Sequence, residues 1–244
     1  MQSFEPRELV ALGRDHRFGD GRAAVERTLA AGFTTSVDFI IGIPGGGPGA
    51  NLNPTIDLLA DHLSIYELTI EERTSFGQRV RDGRLVPLSE DLLTELYVSV
   101  HDRLTAEGYE HYEISSYARP GRRAIHNSRY WAGAPYLGLG VGAASLEVLA
   151  DGAAIRATNP RRWVDYAAGV PPEVSHVPAD EMATDRLWLA MRTRDGVGEG
   201  ALPADLAAAL VAGGLAERRD GRICPTLRGF LMADTIAAQI VQAR

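Results

Sequence analysis

Residues 33–43 read FTTSVDFIIGI, and this stretch decides the fold class. The dense apolar run, broken by Asp38, predicts a buried strand of a parallel sheet, and the glycine- and proline-rich residues 44–49 end it abruptly. Upstream, residues 21–31 place their apolar side chains near one face, with Asp20 as the N-cap, which predicts a helix. Alternation of helix and strand is typical of a βα-repeating protein.

The same alternation continues along the chain. Residues 53–60 predict a second helix that opens near Pro54, and residues 63–70, LSIYELTI, predict the next strand. A long amphipathic helix is predicted at 89–108, and a strand at 109–117 follows it. Two βα units are therefore visible, and the simple repeat fades beyond them.

The second half of the sequence has a different texture. Residues 118–150 are rich in glycine, tyrosine and tryptophan without a clear period, which predicts ordered loops and short strands. The C-terminal pattern predicts helices at 181–193 and 203–213, a hairpin at 215–226 and a helix at 228–241. This order is the shape of a small winged-helix-like module. The sequence therefore predicts three parts, at 1–117, 118–177 and 178–244.

Composition excludes several classes of protein. The net charge of −7 repels phosphate backbones, so we expect no nucleic-acid partner. All 25 basic residues are arginine, which excludes Schiff-base lysine chemistry and the lysine of a P-loop. The sole cysteine, Cys224, cannot by itself form a disulfide, a thiolate zinc site or an iron–sulfur cluster, and we expect a buried thiol. Because there is no apolar run of about 18 residues and no signal-peptide core, the sequence predicts a cytoplasmic protein without an integral membrane segment.

A series of short motifs runs through the whole chain. They are QSF (2–4) with LGR (12–14), VDFIIGIPG (37–45), LSIY (63–66), YEHYEISSYARPG (109–121), HNSRYW (126–131) and YLGLG (136–140). In this order they resemble the successive motifs of the HemW and oxygen-independent coproporphyrinogen oxidase group of radical S-adenosylmethionine (SAM) proteins. The resemblance implies an α/β fold, the C-terminal portion of a partial (β/α) barrel followed by an accessory region. The two visible βα units would then be the last two of that barrel.

Three residues match positions that contact SAM in the group, namely Gln2, Arg14 and Asp38. The chemistry fits, since arginine pairs bidentately with a carboxylate and aspartate accepts hydrogen bonds from ribose hydroxyls or an amine. Without the resemblance, Arg14 is an ordinary surface charge and Gln2 a terminal residue. Asp38 differs, because a carboxylate inside an apolar strand must be paired or must face a site.

The segment HNSRYW at 126–131 matches the HNxxYW motif linked with haem binding in the HemW branch. The resemblance implies His126 as an axial ligand of haem iron, with Asn127, Tyr130 and Trp131 beside it and the two aromatic rings against the porphyrin. Taken alone, a histidine near two aromatic residues is more often a hydrogen-bonded packing residue. Both interpretations stay open at this point.

The sequence also departs from the group. The cysteine triad that holds the 4Fe–4S cluster, and the glycine-rich segment that contacts SAM, lie upstream of position 1 in relatives. We therefore expect no cluster and only weak SAM binding in this chain, and no radical chemistry by the chain alone. Residues 142–145 read GAAS where relatives have GAHS, and residues 71–73 read EER where EPG is usual. An uncovered strand edge also predicts a homodimer or marginal stability.

Three functions compete. The first is a HemW-like protein that binds haem and delivers it to an acceptor protein, which the His126 motif favours. The second is a fragment of an oxygen-independent coproporphyrinogen III oxidase of porphyrin biosynthesis. The third is a winged-helix regulator, faintly supported by the arginines of residues 218–228 and opposed by the acidic total. Separately, the glycines of residues 45–49 can approach a phosphate, but no lysine follows them.

Overall fold

The computed structural model describes residues 2–14, 19–45 and 56–243. The chain divides into two compact units, Met1–Ala124 and Ile125–Arg244. The three-part division at 117 and 177 stays a prediction beside this observed division. The glycine-rich residues 46–49 and the start of the helix predicted at 53–60 lie outside the described residues.

The first unit contains a four-stranded sheet. Its strands are β1 (Ser36–Ile41), β2 (His62–Glu67), β3 (Glu110–Glu113) and β4 (Ser116–Ala118), in the spatial order β1-β2-β4-β3. β1 and β2 are parallel, with Phe39 opposite Ile65, as expected of successive βα units. β4 joins β2 in antiparallel orientation, so the parallel part of the described sheet is two strands wide and the barrel is not closed.

Helices accompany this sheet, and some of them contribute buried side chains to its core. They are α1 (Pro6–Ala11), α2 (Asp20–Ala30), α3 (Ser75–Arg81) and α4 (Glu90–Ala106). The side chain of Ser89 caps α4 by accepting a hydrogen bond from the backbone N–H of Leu92 at 3.3 Å. Leu96, Val100 and Leu104, each one turn apart, form one buried face of α4 and join the apolar side of β1 in the core.

Two strand predictions in this unit need correction. The run at 33–43 is not buried on both faces, because β1 buries Val37, Phe39 and Ile41 and leaves the alternate side exposed or half-exposed. The strand predicted at 109–117 is wrong as a single element. It is a tight hairpin of β3 and β4, whose register shifts between His111 and Glu113. A bulge of this kind breaks the apolar alternation on which the prediction depended.

The second unit holds two small antiparallel sheets and six helices among its described residues. The strands are β5 (Ala144–Val148), β6 (Ala154–Thr158), β7 (Glu173–Val177), β8 (Val197–Gly198), β9 (Ala216–Arg219) and β10 (Arg222–Pro225). The helices are α5 (Ile125–Trp131), α6 (Trp163–Ala167), α7 (Ala179–Ala190), α8 (Ala204–Ala212), α9 (Leu227–Leu231) and α10 (Ala233–Gln242). The sheets have the orders β5-β6-β7 and β8-β10-β9.

The C-terminal segment follows the predicted order of two helices, a hairpin and a helical end. The hairpin turns at Asp220 and Gly221, whose φ angles of 52° and 72° suit the Asp-Gly turn expected from the sequence. The helix predicted at 228–241 is broken at Met232 into α9 and α10. The three-stranded sheet β5-β6-β7 was not predicted as a sheet, since its strands show little alternation of polar and apolar residues.

Two features follow from composition. Cys224 is buried, with 1% of its surface exposed, as predicted for a lone structural thiol. None of the helices in the described part of the chain combines the length and the apolar character that crossing a bilayer requires.

Candidate functional site

The HNSRYW motif forms α5, a seven-residue helix at the start of the second unit that has no fully buried side chain. Helical spacing puts His126 and Tyr130 one turn apart on one face, and Asn127 and Trp131 one turn apart on the next. The structure therefore brings the four predicted haem-site residues onto a single exposed to half-exposed surface of one helix.

His126 begins a ladder of rings. Its imidazole meets the ring of Tyr130 edge to face, at 4.8 Å between centroids and 89° between planes. Tyr130 in turn meets Tyr136 edge to face at 4.6 Å and 73°. Edge-to-face contacts are a favoured arrangement of aromatic rings, so they orient His126 through packing.

The imidazole nitrogens of His126 form no hydrogen bond within the described residues, and the side chain is exposed. The packing interpretation requires a hydrogen-bonded histidine, because a buried imidazole without partners loses free energy. His126 does not have those properties. Its two nitrogens are instead accessible to an external ligand.

Two other histidines show the contrast. His111 is buried, lies parallel to the ring of Tyr117 at 4.1 Å, and approaches His101 with 2.9 Å between their Nδ1 atoms. His176 lies on β7 and is exposed. Of these two, only His176 is accessible in the way that His126 is, and it serves as a matched control.

The SAM-site prediction falls on the first unit, where Gln2 and Asp38 line one cleft of about 430 Å³ between α2 and β1. The backbone carbonyl of Gln2 accepts a hydrogen bond from the N–H of Ile40 at 2.9 Å, which fixes the N-terminal segment beside β1. Asp38 is exposed on the side of β1 opposite the core. Arg14 follows α1 and is also exposed, but it is not among the residues that line this cleft.

A polar network that the sequence did not indicate lies on the same side of the sheet. Ser36 Oγ lies 2.8 Å from Nδ1 of His62, and Nε2 of His62 lies 2.8 Å from the hydroxyl of Tyr112. Register explains the first contact, because Ser36 is directly opposite His62. Burial lowers the pKa of His62, and the nearby Asp38 carboxylate partly opposes that shift. The only sequence signal was a histidine immediately before the strand predicted at 63–70.

Charged groups extend this polar network along β3. Glu110 forms a two-point ion pair with Arg123, at 2.9 and 2.5 Å, and the guanidinium of Arg123 lies 5.4 Å from the ring centre of Tyr112. Burial raises the pKa of Glu113, although the hydrogen bond that its carboxylate accepts from the backbone N–H of Ser115 at 3.2 Å counteracts this shift. These groups are engaged with one another, so little of their hydrogen-bonding capacity is left for a ligand.

The arginines that suggested a DNA-binding wing are engaged within the module. Arg218 and Arg219 form ion pairs with Glu199 and Glu217. Arg222 donates to backbone carbonyls of residues 195 and 196, and Arg228 donates to that of residue 213. Groups with internal partners are poorly placed to neutralise phosphates, which weakens the regulator hypothesis.

The comparisons with known proteins agree on one family. The heme chaperone HemW of Mycobacterium tuberculosis (strain H37Rv) is 32% identical over 251 residues, an alignment that covers 99% of this chain and 64% of that protein. The heme chaperone HemW of Escherichia coli K12 is 35% identical over 173 residues, covering 69% of this chain and 45% of that protein. The chain thus spans less than two thirds of these curated relatives. No protein-family model matches it.

Among solved structures, the coproporphyrinogen III oxidase HemN from Escherichia coli, a radical SAM enzyme, matches with a TM-score of 0.74. The match covers 98% of this chain and 62% of that protein, at 19% sequence identity. At this identity the similarity establishes the fold, and it confirms the predicted α/β fold class.

Proposed function

The chain belongs to the family of HemW haem chaperones and coproporphyrinogen III oxidase-like radical SAM proteins, and from this premise we propose that it binds haem and passes it to an acceptor protein. The sequence relatives named as haem chaperones favour this function over that of an oxidase fragment. The cytoplasm is the compartment, and a haem-accepting protein is the partner. A homodimer stays a prediction from the sequence.

The observation that carries the proposal is the state of His126. A histidine kept for packing would be buried and hydrogen-bonded, whereas this side chain is exposed, oriented by Tyr130, and without a hydrogen bond in the described chain. An accessible imidazole is a common axial ligand of haem iron.

The residues of α5 fit haem as cargo. His126 supplies one nitrogen lone pair to the iron, and its edge-to-face contact with the ring of Tyr130 orients the imidazole. Trp131, half-buried one turn from Asn127, offers apolar area to a porphyrin face. One directional bond combined with apolar contact suits a carrier, because cargo must be held and also released.

The 4Fe–4S cluster and SAM need different residues of the chain. A 4Fe–4S cluster needs several thiolates, whereas this chain has one cysteine, which is buried, so the residues present do not fit the cluster. Gln2 and Asp38 share a cleft that could receive part of SAM, and Arg14 would have to reach it from the end of α1. We propose weak SAM binding here and no catalysis by this chain alone.

The test is a titration with ferric haem, followed by the shift of the Soret band. His126→Ala should weaken binding markedly, because it removes the axial ligand. Trp131→Ala should weaken it less, by about 0.5–1.5 kcal/mol, the value of an aromatic contact beyond area burial. His176→Ala is the matched control for an exposed histidine of the same unit and should leave the affinity unchanged. Equal losses for His126→Ala and His176→Ala would defeat the proposal.

A further inference from the structure

The loop that follows α5 is held in one backbone conformation. The side-chain amide of Asn159 donates to the carbonyls of Gly138 and Gly140, at 3.2 and 2.9 Å. The N–H groups of these two glycines donate to Ser145 Oγ at 2.9 Å and to the hydroxyl of Tyr166 at 3.2 Å. Four hydrogen bonds with three surrounding side chains, two donated by Asn159 and two accepted by Ser145 and Tyr166, therefore fix a short glycine-rich segment.

The loop is also packed tightly at Gly138. A Cβ atom at this position would lie 2.1 Å from the carbonyl oxygen of Ala144, so the glycine faces the protein. Its two neighbours in the loop, in contrast, are exposed to solvent. Leu137 is 77% exposed and Leu139 is 80% exposed.

A fixed loop that presents two leucines to water is unusual for a surface without a ligand. Single exposed apolar residues are common, but here two leucines separated by one glycine are both exposed on one hydrogen-bonded segment. The segment begins at Tyr136, the last ring of the ladder that starts at His126. The exposed leucines therefore follow directly in sequence on the last ring of this ladder.

An arginine lies against the same loop. The N–H of Gly142 donates to the carbonyl of Pro160 at 3.0 Å, and a Cβ atom built on Gly142 would lie 3.8 Å from Cγ of Arg161. The guanidinium of Arg161 is exposed and has no ion pair or hydrogen bond within the described residues. Its neighbour Arg162, in contrast, pairs with Asp165 at 3.7 Å.

We propose that Leu137, Leu139 and Arg161 form the second wall of the haem site, with the leucines against the porphyrin face and the guanidinium on a propionate. This inference rests on the proposed function and specifies which parts of the haem these side chains contact. Apolar side chains next to a free cation fit a flat, apolar molecule with carboxylates at its edge. The negative charge of the protein as a whole disfavours an anionic lipid surface as the occupant.

The first test replaces both leucines by serine in the full 244-residue chain. Ferric haem affinity should fall about tenfold, because two large apolar contacts are lost. Val241→Ser is the control, since Val241 is also exposed but lies near the end of α10. Because the replaced side chains are exposed, the thermal midpoint should not change. Unchanged haem affinity would overturn the proposal, and so would selective loss of binding to phosphatidylcholine vesicles.

The second test compares haem with haem dimethyl ester, which has no carboxylates. Arg161→Gln should weaken haem binding roughly twofold to fivefold, as expected for an exposed ion pair, and leave the ester unaffected. Arg162→Gln should change neither ligand. An equal effect of Arg161→Gln on both ligands would overturn the role of the cation. If His126→Ala abolishes the Soret shift while the loop variants do nothing, this inference fails and the proposed function stands. If the wild-type protein gives no Soret shift, the proposed function itself fails.

Discussion

His62 in the first unit and His126 in the second represent two opposite environments for the same side chain. His62 lies on a central strand, is 3% exposed, and has both nitrogens in contact, with Ser36 and with Tyr112. His126 lies on a surface helix with both nitrogens free of hydrogen bonds in the described chain. One ring is held by polar partners and the other by an edge-to-face contact with a tyrosine ring.

The difference shows which histidine is structural and which is available. A ligand could bind His62 only if its contacts with Ser36 and Tyr112 were broken, which would leave buried polar atoms without partners. Ligand binding at His62 would therefore lower the stability of the fold. Binding at His126 breaks no hydrogen bond, because none exists in the described structure. A motif match alone cannot make this distinction, whereas burial and hydrogen bonding can.

The largest contrast is expected in stability. His62→Ala should lower the free energy of unfolding by at least about 1–3 kcal/mol, because it leaves the partners of His62 unsatisfied in a buried site. His126→Ala should change it by no more than about 0.5 kcal/mol, as for most surface substitutions. Urea denaturation of the two variants measures both values. Similar losses for the two would show that His126 is a packing residue.

A second contrast concerns pH. The pKa of His62 is lowered in the folded state from its ordinary 6.5, so the unfolded chain takes up a proton first as the pH falls. Stability should therefore decrease as the pH is lowered below about 6.5, and the decrease should be smaller in His62→Gln. The pKa of Glu113 is raised in the folded state, so this group makes the fold more stable as the pH falls. Because Glu113 is present in both proteins, the difference between their pH profiles reports His62. Identical pH dependence in wild type and His62→Gln would contradict this account.

The smallest effect is expected at the cleft beside β1. Isothermal calorimetry should detect at most weak SAM binding by the 244-residue chain, and Asp38→Ala should weaken it further because it removes a side chain that lines the cleft. Asn159→Ala, which alters the second unit, provides a control. Micromolar or tighter binding that Asp38→Ala does not affect would show that the SAM site lies elsewhere.

The sequence predicted much of the fold because local signals were strong. The amphipathic pattern of residues 89–108 predicts α4, and the structure confirms this helix with Leu96, Val100 and Leu104 on its buried face. The Asp-Gly pair predicts the hairpin at Asp220. Elements with weak alternation were harder to predict. The bulge between β3 and β4 and the half-polar strands β5 to β7 depend on long-range pairing, which periodicity does not report.

The candidate sites were less predictable than the fold. The helix carrying His126 was expected only as part of an irregular segment, and its ring ladder requires Tyr136, which lies beyond the motif. The contact of His62 with Ser36 depends on strand register, and the loop that carries Leu137 and Leu139 is hydrogen-bonded to the distant Asn159. These relations join residues that are distant in sequence, so no local pattern reveals them.

The most direct test is an NMR experiment on the ring signals of the six histidines. Adding gallium protoporphyrin IX, a diamagnetic analogue of ferric haem, should shift the ring signals of His126 strongly through the porphyrin ring current. Those of the buried His62 and the exposed control His176 should stay in place. A shift at His62 or His176 with His126 unchanged would contradict the assignment of His126 as the haem ligand.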